Sequence, residues 1–90
     1  MWINYKPDDG KMLRIYIDLD ENSIIKDIKI TGDFFYFPIN GLELLEEFLK
    51  GKKINEKLGD EINEFFTRNN HKVLGFNGED IENAIKLGFK

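Results

Sequence analysis

The run Ile28-Lys29-Ile30-Thr31-Gly32-Asp33-Phe34-Phe35-Tyr36-Phe37-Pro38 constrains the fold more than any other part of the chain. It starts as a strand, with Ile28 and Ile30 on one side and Lys29 and Thr31 on the other. At Gly32-Asp33 the period breaks, and four consecutive aromatics follow. Successive strand residues point to opposite faces, so four adjacent rings cannot all enter one core. Either both faces are covered here, or one face keeps aromatic surface for a partner. Pro38 ends the run, because it cannot donate to a ladder and restricts Phe37 before it.

The sequence before this run reads as strands and the sequence after it as helices. Met1 to Lys6 is a possible edge strand, and Pro7-Asp8-Asp9-Gly10 supplies turn geometry. Lys11 to Asp20 alternates, with Leu13, Ile15, Ile17 and Leu19 on one face and Met12, Arg14, Tyr16, Asp18 and Asp20 on the other. Glu21-Asn22-Ser23 turns the chain into a returning strand from Ile24 to Thr31. Ile25 is out of phase with Ile28 and Ile30, and a bulge at Lys26-Asp27 would restore it to the inner face. Phe34 to Phe37 is expected to continue the sheet as a third strand or a bent extension.

The period then changes to helical. Asn40 and Glu43 have the spacing of a capping box, Leu42, Leu45, Phe48 and Leu49 form a stripe, and Gly51 is placed to stop the helix. A second helix follows Asn55, with Leu58, Ile62, Phe65 and Phe66 on one face; Gly59 inside it suggests a close approach to the sheet. His71 to Phe76 is irregular or briefly extended, and Asn77-Gly78-Glu79-Asp80 opens a last short helix on Ile81, Ala84 and Ile85. Strands first and helices after imply an α+β domain: a small antiparallel sheet of about three strands with helices packed on one face. The other face, carrying Tyr16, one phase of Phe34 to Phe37 and Trp2, is the expected binding surface.

Ninety residues are expected to form one domain, 1–90, with a single core. The net charge of -4 disfavours a phosphate backbone as partner, and nucleic acid with it. The absence of cysteine removes disulfides, thiolate metal sites and a cysteine nucleophile. No apolar run has the ~20 residues of a membrane span, and the start lacks a signal peptide's pattern, so a complete cytoplasmic chain is expected.

No catalytic constellation emerges, and no catalytic, cofactor-binding or metal-binding residue is assigned. The single histidine, His71, lies among asparagines and lysine without a spaced partner and reads as a solvated loop residue. Ser23, the only serine, sits in a hairpin turn without a glycine elbow. Gly10-Lys11 and Gly51-Lys52-Lys53 lack the spacing of a phosphate loop and read as turn and helix stop. Glu46-Glu47 and Asp60-Glu61 point roughly 100° apart on helices and read as solvated faces. Gly32-Asp33 is either a plain bend or a bend that presents a carboxylate and an aromatic pair to a partner.

The order Gly10-Lys11-Met12-Leu13-Arg14, then Ile25-Lys26-Asp27-Ile28-Lys29-Ile30-Thr31-Gly32-Asp33-Phe34-Phe35, then Leu42 to Gly51, resembles the C-terminal accessory domain of lipoate-protein ligases. The likeness is strongest over residues 10–51; beyond them it rests on helix order and length. In that family the domain either trails a catalytic domain or forms a separate small protein, and a chain from Met1 to Lys90 is similar to the separate form. The resemblance implies a fold like that of the sulfur-transfer and iron-sulfur scaffold proteins, whose chemistry needs cysteine. It also implies a non-catalytic accessory subunit of an ATP-dependent ligase, needed for making lipoyl-adenylate before transfer to a lysine of a lipoyl domain. Lipoate and ATP with Mg are then expected on the catalytic subunit, which is the expected partner, with lipoyl acceptor domains as a further contact. The catalytic domain's markers, a paired arginine before a glycine triplet and an adenylate-binding lysine, do not occur here. Gly32, Asp33, Phe34, Phe35, Phe37 and Tyr16 are the partner-binding candidates. The alternative left by the residues alone is a small protein-binding or single-strand RNA-binding module using the aromatic sheet face.

Overall fold

A computed structural model describes residues 1–8 and 10–89. In chain order the elements are β1 (Trp2–Tyr5), β2 (Leu13–Leu19), β3 (Ile25–Gly32), β4 (Phe35–Phe37), α1 (Gly41–Leu49), α2 (Leu58–Arg68), β5 (Lys72–Leu74) and α3 (Gly78–Gly88). Asp9, and with it part of the turn expected at Pro7 to Gly10, lies outside the described residues.

Strands β1, β2 and β3 form an antiparallel sheet in that order, with Ile3 opposite Ile15 and Ile15 opposite Ile30. The alternation of β2 therefore sorts cleanly: Leu13, Ile15 and Ile17 are buried with Ile3, Ile28 and Ile30, while Arg14 and Asp18 face out. The expected bulge is present. Asp18 pairs with Asp27 but Leu19 pairs with Ile25, so Lys26 is the extra residue and Ile25 returns to the core. The helices cover that inner face, contributing Leu45 and Leu49 from α1, Leu58 and Ile62 from α2, and Ile81, Ala84 and Ile85 from α3. The fold is α+β with a three-stranded antiparallel sheet, as the periodicities imply.

Four expectations are corrected. Phe34 to Phe37 does not extend this sheet, whose third strand is β1; β4 pairs instead with β5 in a separate two-stranded ribbon. Asn40 makes no side-chain cap, because its backbone (φ -86°, ψ 4°) is not the extended form that aims a cap at the third amide. Gly41 N–H donates to the Pro38 carbonyl instead. The capping box lies at α3: Asn77 Oδ1 accepts from the Asp80 amide at 3.0 Å, and Asp80 Oδ2 accepts from the Asn77 amide at 2.9 Å. Gly59 approaches the start of α3 and not the sheet. A β-carbon on Gly78 would stand 2.1 Å from the Gly59 carbonyl oxygen, and one on Gly59 would stand 3.2 Å from Glu79 backbone atoms. The crossing is held by Glu82 Oε1 on the Gly59 amide and Asn63 Oδ1 on the Gly78 amide, each at 2.8 Å. His71, the fourth, is treated with the site it belongs to.

Candidate functional site

The break at Gly32-Asp33 is where the chain leaves the main sheet. Gly32 adopts φ +155°, and a β-carbon there would stand 2.3 Å from the Met12 carbonyl oxygen, so the close passage to β2 needs glycine. After exposed Asp33, the four aromatics alternate. Phe34 turns inward and meets Phe76 edge to face at 4.8 Å; Phe35 turns out; Tyr36 turns in; Phe37 turns out. One phase thus enters the core and the other keeps aromatic surface.

Strand β5 widens that surface. Leu74 lies opposite Phe35 and Lys72 opposite Phe37, so all four share the outward face of the ribbon. Phe35 is 58%, Phe37 54% and Leu74 69% exposed, and Ile39, just past Pro38, is almost fully so. Apolar side chains this exposed and this close mark a contact surface more than a folding requirement.

The inward phase has its own polar anchor. Tyr36 Oη lies 2.7 Å from His71 Nδ1, and both rings stand edge-on to neighbours, Tyr36 to Phe66 and His71 to Phe65. His71 is buried and not the solvated loop residue expected, because the turn after α2 folds it back over that helix, with its amide on the Phe66 carbonyl at 2.9 Å. Burial holds the Tyr36 phenol above the ordinary tyrosine range, so it stays a neutral hydrogen-bonding group. The pair fixes the ribbon on the helical layer and so aims Phe35 and Phe37 outward.

Tyr16 is brought elsewhere. It lies half-buried on the outer face of the main sheet, 5.4 Å from the Trp2 ring, with the Arg14 guanidinium 4.6 Å over Trp2. The structure therefore gathers Asp33, Phe35 and Phe37 at the ribbon, gives Gly32 and Phe34 packing roles beneath it, and places Tyr16 in a separate cluster. Sequence reading missed Lys72 and Leu74, because a three-residue strand has too little period to declare its partner. Among the described residues no group of three or more His, Asp or Glu could hold a metal ion, and no helix is long and apolar enough to cross a membrane. The cleft between α1 and α2, about 630 Å³, is lined by Phe48 and Phe65 with cations already paired, Lys52 to Glu61 at 3.1 Å and Arg68 to Glu64.

A three-stranded sheet covered on one side by helices, with an aromatic ribbon beside it, defines a small α+β module that displays apolar surface. The chain belongs to the family described as bacterial lipoate protein ligase C-terminus, whose profile matches residues 9–85. It is 41% identical over 86 residues to "Lipoate-protein ligase A subunit 2" of Thermoplasma acidophilum, covering 93% of this chain and 85% of that protein. A solved structure from the same organism, described as a bi-partite lipoate protein ligase and its E2 lipoyl domain, contains a chain that superposes with a TM-score of 0.76. The identity there is 39%, over 93% of this chain and 91% of that one.

Proposed function

We propose that this protein is the non-catalytic accessory subunit of a two-protein lipoate-protein ligase. It docks on a separate catalytic subunit and favours that subunit's adenylation-competent form. Lipoate and ATP with Mg are bound by the catalytic subunit, which makes lipoyl-adenylate before the lipoyl group passes to a lysine of a lipoyl domain. The compartment is the cytoplasm. Support comes from family membership, from a relative named as subunit 2 of such a ligase, and from a structural neighbour described as bi-partite.

The observation that carries the reading is the outward face of the β4–β5 ribbon, where Phe35, Phe37 and Leu74 lie exposed side by side. Exposed aromatics held on a rigid strand are suited to anchor a partner, since little side-chain entropy is lost on burial. Asp33, exposed at the ribbon's entrance, supplies a carboxylate for a charge-assisted bond that sets orientation. Docking accelerates adenylation only if the subunit binds the competent form more tightly, and a differential of a few kcal/mol is enough. The test is pyrophosphate release from ATP and lipoate by the catalytic subunit, with and without this chain. A rise in rate together with co-elution of the two proteins is expected. An unchanged rate and separate elution would remove the proposal.

A further inference from the structure

The two edges of the main sheet are treated differently. On the β3 edge the outward amides of Ile25, Ile28 and Ile30 all have partners. Ile25 N–H donates to the Lys52 carbonyl and its own carbonyl accepts from Gly51, each at 2.8 Å. Ile28 N–H is held by the Asp27 carboxylate at 3.0 Å and Ile30 N–H by Glu46 Oε2 at 2.8 Å. The Ile24–Lys53 bridge continues this cover. Carboxylates and a crossing segment of this kind prevent another strand from adding.

Among the described residues the β1 edge has none of this protection. Met1 and Ile17 exchange both main-chain bonds, so by the alternation of an antiparallel ladder Ile3 and Tyr5 also face β2, and the N–H and C=O groups of Trp2 and Asn4 point away from the sheet. Among the described residues those groups have no hydrogen-bond partner. Trp2-Ile3-Asn4-Tyr5 contains no charge and no proline. Apolar surface flanks it on both sides: Trp2, 49% exposed, on the outer face, and Met1, 46% exposed, packed by Gly88 on the inner one.

We infer that β1 pairs with β1 of a second copy of this chain. An unpaired array of amides and carbonyls takes an extended strand, and β1 of a second copy supplies one of the same length, with no charge and no proline in it. An antiparallel two-fold centred on Ile3 sets Trp2 opposite Asn4 of the second copy, so that each pair exchanges both its bonds, and sets Ile3 opposite Ile3. On the outer face Asn4, which neighbours Arg14, then meets Trp2 of the second copy, which neighbours Tyr16. No like charges oppose one another within β1, and Pro7 limits the pairing to this short strand. The interface is small, so the dimer is weak and concentration-dependent.

Sedimentation of the full chain from about 10 μM to about 1 mM tests this, the range in which weak self-association titrates. The expected result is a mass that rises from 10.6 kDa toward twice that value. Asn4→Pro removes an outward N–H that the monomer does not use, and it should hold the mass at the monomer value with an unchanged circular dichroism spectrum. Should that variant misfold, hydrogen exchange of the native chain decides: the Trp2 and Asn4 amides should slow at the higher concentration while the Ile28 and Ile30 amides do not respond. A constant mass at 1 mM, or concentration-independent exchange at Trp2 and Asn4, overturns the inference. So does an Asn4→Pro chain that loses only its affinity for a catalytic subunit, which would give the edge to that protein. The double variant Phe35→Ala/Phe37→Ala should still dimerise, which separates failure here from failure of the docking proposal.

Discussion

At the scale of single residues, the arrangement of the ribbon rests on Tyr36 and His71. Their hydrogen bond joins a buried histidine to a half-buried tyrosine inside an aromatic cluster, where an unpaired nitrogen is costly. Tyr36→Phe should lower the unfolding free energy by about 1–2 kcal/mol in urea melts, the loss expected when a buried hydrogen-bonding group is orphaned. Adding His71→Phe to that variant should cost less than the two single changes summed, since neither polar group is then left alone. Glu82 offers a second test. Burial pushes its carboxyl upward, but the Gly59 amide and Lys86, 2.9 Å away, outweigh this and hold it below the ordinary glutamate value of 4.5. A group with a lowered folded value stabilises fully above its unfolded value and loses that contribution as pH falls through the folded one. Stability of the native chain should therefore fall more steeply below about pH 4.5 than that of Glu82→Gln, as measured by urea midpoints across an acid series.

At the scale of elements, helix starts separate what short patterns reveal from what they conceal. Asn40-x-x-Glu43 has the better capping-box spelling, yet the box forms at Asn77-x-x-Asp80. The difference is backbone geometry: Asn77 is extended (φ -135°, ψ -176°), whereas Asn40 follows Pro38-Ile39 in a turn that already uses the first amide of α1. Asn77→Ala should cost about 1 kcal/mol and Asn40→Ala almost nothing, a contrast measurable by thermal or urea unfolding. The strands were easier to read. Alternation over Leu13 to Leu19 locates β2 closely, and the slipped phase of Ile25 identifies the bulge, because a buried face tolerates no break in period without an inserted residue. Strand β5, three residues long, carries no comparable signal and exists because β4 needs a partner for its backbone.

At the scale of the whole molecule, the sheet, the helices on its inner face and the ribbon beside them keep the exposed aromatics Phe35 and Phe37 apart from the Trp2 and Tyr16 pair. The docking proposal assigns Phe35 and Phe37 to the catalytic subunit. Phe35→Ala should weaken that association by about tenfold or more, as for a central aromatic anchor, while changing the chain's own stability by only about 0.5 kcal/mol. Titration calorimetry against the catalytic subunit checks the first number and urea unfolding the second. Unchanged affinity would return Phe35 to a role in the ribbon alone.

The sequence by itself determined the α+β class, the inner face of the sheet, the bulge and the helical stripes, because each is written in a local period of hydrophobic residues that burial enforces. It also showed that four successive aromatics cannot share one core. Only the tertiary structure decided which of them turn out, that β4 leaves the sheet for β5, that His71 is buried against Tyr36, and that Tyr16 stands apart from the ribbon. Those outcomes depend on which distant segments meet, and a meeting between residues 35 positions apart, such as Tyr36 and His71, leaves no trace in the spacing of either.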